Sequence, residues 1–313
     1  MKIKFIKTSI ATVAFILTVS TVSNFSLLAQ FGDGNGTVSN PYQIKTKQHL
    51  ELLTDSVNNG YNWSKGKYFK VMNDITNPLT KTIGLSVPEK SFQGNFDGQN
   101  NTIILDINET APNYSVGLFS CFYTGSIKNV IVTGSINVIN PSAPIGGIVG
   151  SIITGFITDY SGKANIIRIS NCVNNADLTA TVNDATTNGI TGGIVGSAVL
   201  SQYQLVNDEM IIENCTNIGS IKGQMVGGIL GNFSINIAGV CIVNNCENFG
   251  LIDGDNIAGG VVGLIDNRAT VSNCFNGGVV SGKIKNSIGC IVGIKNDGTV
   301  INCHYDMQMC GEE

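Results

Sequence analysis

At 313 residues the chain is long enough to bury a sizeable core, as one large domain or two ordinary ones. Only 13% of residues are charged and the mean hydropathy is +0.19, which excludes a disordered chain; 38 glycines without a Gly-X-Y period exclude collagen. The formal net charge is −4, with two arginines and no basic stripe, so nucleic acid is not an expected partner.

The chain opens on a targeting segment. Lys2, Lys4 and Lys7 precede an apolar stretch, Ile10 to Val22, and small residues lead to Ala29 and Gln30. This predicts a secretory signal peptide over residues 1–29, cleaved after Ala29 or near Ser23. The apolar run is shorter than the roughly 20 residues of a membrane span. No cysteine follows it for a lipid anchor, and no later stretch is long enough to span. Losing the three lysines takes the net charge from −4 to −7. The expected location is extracellular or the outer cell surface.

Residues 30–110 read as an N-terminal cap with the first coils. Thr46 can cap a helix that places Leu50, Leu53 and Val57 on one stripe and ends at Asn58-Asn59-Gly60. Such a helix would cover the open end of the first coil. FDGQNNTIILDI (96–107) then reads as a turn and a strand.

From 111 to 303 the chain repeats itself. ISNCVNN (169–175), IENCTNIGSIKG (212–223), VNNCENFGLIDG (243–254), VSNCFNGGVVSG (271–282) and VINCHYD (300–306) are variants of one line. An earlier relative, IKNVIVTGSI (127–136), has Val130 in the cysteine slot. A second line alternates with the first: IGGIVG (145–150), TGGIVG (191–196), VGGILG (226–231), AGGVVG (258–263) and IGCIVG (288–293), with VGLFS (116–120) as a degenerate forerunner. Successive corner asparagines are 42, 43, 31, 28 and 29 residues apart, so a period near 29 carries insertions in its earlier copies. Each unit offers short β-rich pieces punctuated by Asn, Gly and Asp, and none could bury its apolar face alone. Stacking solves this. The expectation is an all-β, right-handed parallel β-helix (β-solenoid) of about six repeats. A propeller, whose blades need periods of about 40–50 residues, fits less well.

These lines resemble the GLUG-motif repeats of secreted and surface proteins of bacteria. GTVSNPYQIKTKQHLELL (36–53), YFKVMNDI (68–75) and FQGNFDGQNNTIILDI (92–107) resemble the lead-in of that family, and the likeness runs from about Phe31 onward. The resemblance implies a β-helical architecture and an extracellular setting. It implies no single activity, because such repeats occur in adhesin-like proteins and in accessory regions of immunoglobulin A1-cleaving metallopeptidases. Here His49 and His304 are isolated, with no H-E-x-x-H pair to hold zinc.

Five cysteines share one slot behind five asparagines: Asn171-Cys172, Asn214-Cys215, Asn245-Cys246, Asn273-Cys274 and Asn302-Cys303. Rungs about 4.8 Å apart permit disulfides by distance. However, side chains in parallel register point the same way, so a ladder of small buried thiols is expected. A bridge among Cys241, Cys246, Cys303 or Cys310 is the alternative. No C-x₂-C pair suggests a zinc site. The asparagines are expected at coil corners in the left-handed conformation, with Asn174, Asn217, Asn248 and Asn276 as a second ladder. The glycine lines lack the lysine and helix of a phosphate-binding loop and recur too often to be one. Asp33-Gly34-Asn35-Gly36 and Asp253-Gly254-Asp255 fall short of a calcium loop. No cofactor or metal is called for.

Binding is expected where copies differ. From the last glycine of a line to the next corner asparagine the first two gaps run 21 and 18 residues, against 9 in the last. They hold GFITDYSGKAN (155–165) and VLSQYQLVNDE (199–209). A third insertion, TATVNDATTNG (179–189), lies elsewhere in its coil. Tyr160 with Asp159 and Tyr203 with Asp208 are the candidate ligand contacts, suited to a glycan or an extracellular protein. The tail, residues 304–313, leaves three alternatives: Tyr305 to Cys310 folds over the last coil, that coil meets a partner end to end, or the chain continues. The expected function is a non-catalytic binding or adhesion scaffold. The alternative is a polysaccharide lyase or glycoside hydrolase, for which Glu213, Glu247, Asp253 and Asp266 offer single acids on different coils rather than a pair.

Overall fold

The computed structural model describes residues 31–154, 166–183, 189–200, 208–235, 239–266 and 269–310, so the expected signal peptide lies outside the described residues. Short strands dominate, and among the described residues they form three sheets of nine, fourteen and six strands. From Gly125 onward each coil visits the sheets in a fixed order. Gly125–Lys128 belongs to the first sheet, Ile131–Ile139 and Ile145–Gly146 to the second, and Val149–Thr154 to the third; Ile166–Ser170 then returns to the first. Neighbouring strands are parallel and in register with their counterparts one coil away.

Like residues therefore stack in columns. Phe96, Ile127, Ile169, Ile212, Val243 and Val271 form one buried column of the first sheet. Ile107, Ile136, Leu178, Ile221, Ile252 and Val280 form another in the second. Aromatic rings concentrate at the N-terminal end, where Phe69, Phe92, Phe96, Phe119 and Phe122 pack together. Helix α1 (Lys47–Asn59) lies there, capped by Thr46, which accepts a hydrogen bond from the His49 amide. Leu50, Leu53 and Val57 are buried in the core, and Asn58 ties α1 to the Thr82 carbonyl and the Gly84 amide.

The corner residues Asn129, Asn171, Asn214, Asn245, Asn273 and Asn302 all have φ between 51° and 54°. Asparagine tolerates this region better than other non-glycine residues. Asn245 donates to Asn214 at 2.7 Å and Asn171 to Asn129 at 3.3 Å, whereas Asn273 turns to Asn244 instead.

The second asparagine row lies inside the core. Asn174, Asn217, Asn248 and Asn276 are fully buried, and each of the first three donates to the next amide oxygen at 2.7 Å. Each also donates to a backbone carbonyl two residues on, so both amide protons have partners in a dry interior. The glycine lines serve this row. A Cβ on Gly193 would strike the Gly228 carbonyl and the Asn217 side chain, and Gly147, Gly228 and Gly260 meet Asn174, Asn248 and Asn276 in the same way.

The last coil departs from this pattern. Where an asparagine would stand, Tyr305 pairs with Asn276, and where the second glycine would stand, Cys290 does. The tail folds over the coil end: the Met309 carbonyl accepts from the Val280 amide, and Cys310 is buried, taking the Asn276 amide on its sulfur. Cys290 and Cys310 form a disulfide with Cα atoms 5.5 Å apart. This corrects the alternative of a bridge among Cys241, Cys246, Cys303 and Cys310: Cys310 is bridged to Cys290, and the other three are free. The reason is positional: Cys241 lies in a first-sheet column, opposite Met210 and Ala269, and the other two stay in the thiol row.

Replacing Asn217 alone by valine should cost about 2–4 kcal/mol in urea unfolding, because Asn174, Asn248 and the Gly219 carbonyl each lose a partner. Gly193→Ala should cost about 1–3 kcal/mol by overpacking. Wild-type stability in either variant would contradict the ladder.

Candidate binding edge and the thiol row

Three strands of the third sheet, Val149–Thr154, Val195–Leu200 and Leu230–Ile235, pair in register; Thr154 lies opposite Leu200, and Leu200 opposite Ile235. The strands that follow them, Ile166–Ser170, Asp208–Glu213 and Gly239–Asn244, pair in register in the first sheet. The strand ends that flank segments 155–165, 201–207 and 236–238 thus share one edge of the stack. Asp159, Tyr160 and Tyr203 lie outside the described residues. Asp208 starts its strand opposite Gly239, and its side chain lies outside the described set. Of the third insertion, residues 184–188 lie outside the described residues; it joins two second-sheet strands, on a different edge.

The edge borders the outer face of the first sheet, which is mixed there: Glu209 lies opposite the exposed Val240, and Arg168 opposite Ile211. Arg168 and Glu213 form an ion pair at 2.5 Å and Lys128 meets Asp97 at 3.4 Å, all partly exposed. Burial works against the Asp97 charge, but hydrogen bonds from Asn129 and Gln99, with Lys128 nearby, hold its carboxyl below the usual carboxylate range. Such surface pairs contribute about 0–1 kcal/mol each, so they matter more for the charge they present than for stability. Further along the stack, Asp253 pairs with Lys222 and Asp255 with Lys283. The acids weighed above for calcium or catalysis are thus matched to cations in three cases: Glu213, Asp253 and Asp255. Asp266 accepts from Asn296. A cleft of about 280 Å³ lies between α1 and the strand Ile75–Leu79, lined by Glu51, Thr54, Asp55, Leu79, Thr80 and Lys81. Its buried hydroxyl, Thr54, is satisfied by the Leu50 carbonyl.

Cys172, Cys215, Cys246, Cys274 and Cys303 stand in one row. Each thiol contacts the carbonyl two residues before it at 3.2–3.4 Å and a carbonyl of the preceding coil at 3.6–3.9 Å, so all five point alike. The first four are buried; Cys303, at the last coil, is half-buried. Burial raises Cys215 and Cys241, and pushes Cys121 up to about 12. Cys274 is raised by its contact with the Cys246 thiol and by burial. A thiolate in the row would be best placed at Cys246: burial opposes it, but Cys215 and Cys274 can both donate to it. Among the described residues, no three His, Cys, Asp or Glu side chains converge on one point as a metal chelate. Nor is any helix there long and apolar enough to cross a membrane.

No family model matches the chain, and no curated protein does. Among solved structures it is similar to a Bacteroides ovatus protein described as a putative immunoglobulin A1 protease. The TM-score is 0.64 over 88% of this chain and 78% of that one, at 22% identity. The likeness is one of fold: an all-β, solenoid-like stack with long parallel sheets.

Sequence reasoning missed the Cys290–Cys310 pair and the Arg168–Glu213 pair. Both partners in each lie on different coils or on the tail. The departure of IGCIVG from the glycine line was the available signal for the first.

Of the seven unpaired thiols, Cys303 should react first with an aqueous disulfide reagent. The buried thiols should react at least about 100-fold more slowly until the chain unfolds. Mass mapping of the labelled native protein checks this.

Proposed function

We propose that the chain is a right-handed, three-sheet β-helix of the GLUG-repeat kind, exported by a bacterium to its surface or surroundings. It acts as a non-catalytic binding or adhesion scaffold, taking a glycan or an extracellular protein along its inserted edge. The observation that carries this reading is the shared root of the inserts: segments 155–165 and 201–207 follow paired positions, Thr154 and Leu200, and precede adjoining ones, with Ile166 opposite Glu209. Stacked insertions of this kind build one continuous surface from separate coils. Right-handedness follows the general preference of parallel crossovers.

The description of the B. ovatus neighbour favours a second reading, peptide hydrolysis, and fixes one arm of the test. The full exported chain is screened on glycan and host-protein arrays, and incubated with immunoglobulin A1 and a polysaccharide panel. Saturable binding without cleavage products is expected. Replacing 155–165 and 201–207 by short turns should weaken that binding at least tenfold, about 1.4 kcal/mol, with an unchanged melting temperature. Cleavage of immunoglobulin A1 or a polysaccharide would overturn the non-catalytic reading; binding indifferent to both replacements would overturn the placement on the edge.

A further inference from the structure

The thiol row does not converge on a point, but it repeats along a line. Five like-oriented sulfurs follow one another at the rung spacing, about 4.8 Å. The row has one blind end: the coil before Cys172 carries Val130, which is fully buried, in the same slot. Its other end, Cys303, is half-buried at the last coil.

A bond from sulfur to a d¹⁰ ion such as zinc is about 2.3 Å. A linear sulfur–metal–sulfur bridge therefore spans about 4.6 Å, close to the rung spacing of about 4.8 Å. Charge then selects the ion. The slot is deep in an apolar core, flanked only by carbonyls, and an uncompensated charge there would be costly. A monovalent cation that displaces one thiol proton leaves the core neutral. A divalent ion does not, and it would need about four donors around one point, which the row does not offer. Thiolates favour soft ions, Cu(I) among them.

We propose that Cys172, Cys215, Cys246, Cys274 and Cys303 bind soft monovalent cations, Cu(I) or Ag(I), each bridging two successive sulfurs along the row, with no sulfur shared between two cations. No electrons move: each cation forms bonds to sulfur, and one S–H bond breaks with its proton released to solvent. Binding begins at Cys303 and weakens as pH falls, because protons compete for the same sulfurs.

Silver(I) is titrated into the full chain without a thiol reductant, so the Cys290–Cys310 bridge stays closed. Native mass spectrometry counts ions and a pH indicator counts protons. The expected result is two cations, the most that five sulfurs in a line hold without sharing one, and one proton for each. Cys215→Ser with Cys274→Ser, which leaves no two successive thiols, should abolish binding, whereas Cys121→Ser and Cys241→Ser, at buried thiols outside the row, should leave the count unchanged. Where that double variant fails to fold by circular dichroism, Cys274→Ser alone is read instead, with the loss of one cation. A count unaffected by the row variants, or lowered by Cys121→Ser or Cys241→Ser, would overturn the proposal, as would a single ion held only at Cys303.

Discussion

The amide of one coil is satisfied by the identical amide of the next, and the rest of the interior is arranged around that bond. Asn174, Asn217, Asn248 and Asn276 each present one proton along the stack and one to their own turn. In a dry core neither can go unpaired without cost. A register slip of one residue would break every link at once, so the ladder fixes how coils sit on each other. It also fixes the glycines. Gly147, Gly193, Gly228 and Gly260 stand where the following coil brings in a ladder asparagine. Where Val132 comes instead, the line reads VGLFS with a single glycine, and where Tyr305 comes, Cys290 occupies the glycine site.

This coupling separates what must repeat from what is free to vary. The ladder, corners and core columns keep their register although successive corners lie from 28 to 43 residues apart. Extra residues enter between strands rather than within the columns: 155–165 and 201–207 between third- and first-sheet strands, and 184–188 between two second-sheet strands. The two ends differ as well. The N-terminal end is closed by α1 and a cluster of aromatic rings, and the C-terminal end by a disulfide-held tail. Large exposed apolar side chains such as Ile301, Tyr305 and Met307 gather at that second end.

The repeat lines were legible in the sequence because stacking demands like residues at like positions, and the Asn-Cys slot recurs undisturbed. The helix was legible from Thr46 and the Leu50–Leu53–Val57 stripe, which are local signals. What escaped notice depends on a residue one coil away. The second glycine of each line looks like backbone flexibility until the asparagine packed against it is known. Cys310 could not be matched to Cys290 because the tail has no copy to align with. Arg168 and Glu213 are 45 residues apart and meet only through register. The insert positions were legible as lengths, whereas the edge that two of them share needed the strand pairing.

Side-chain amide exchange measures the ladder most directly. In a perdeuterated sample, the Nδ2 protons of Asn217 and Asn248 should exchange only with global unfolding, at rates at least about 1,000-fold below those of exposed asparagines such as Asn245. Exchange of the Asn217 and Asn248 amides at the rate of Asn245 would contradict a buried, coil-to-coil ladder as the basis of the fold.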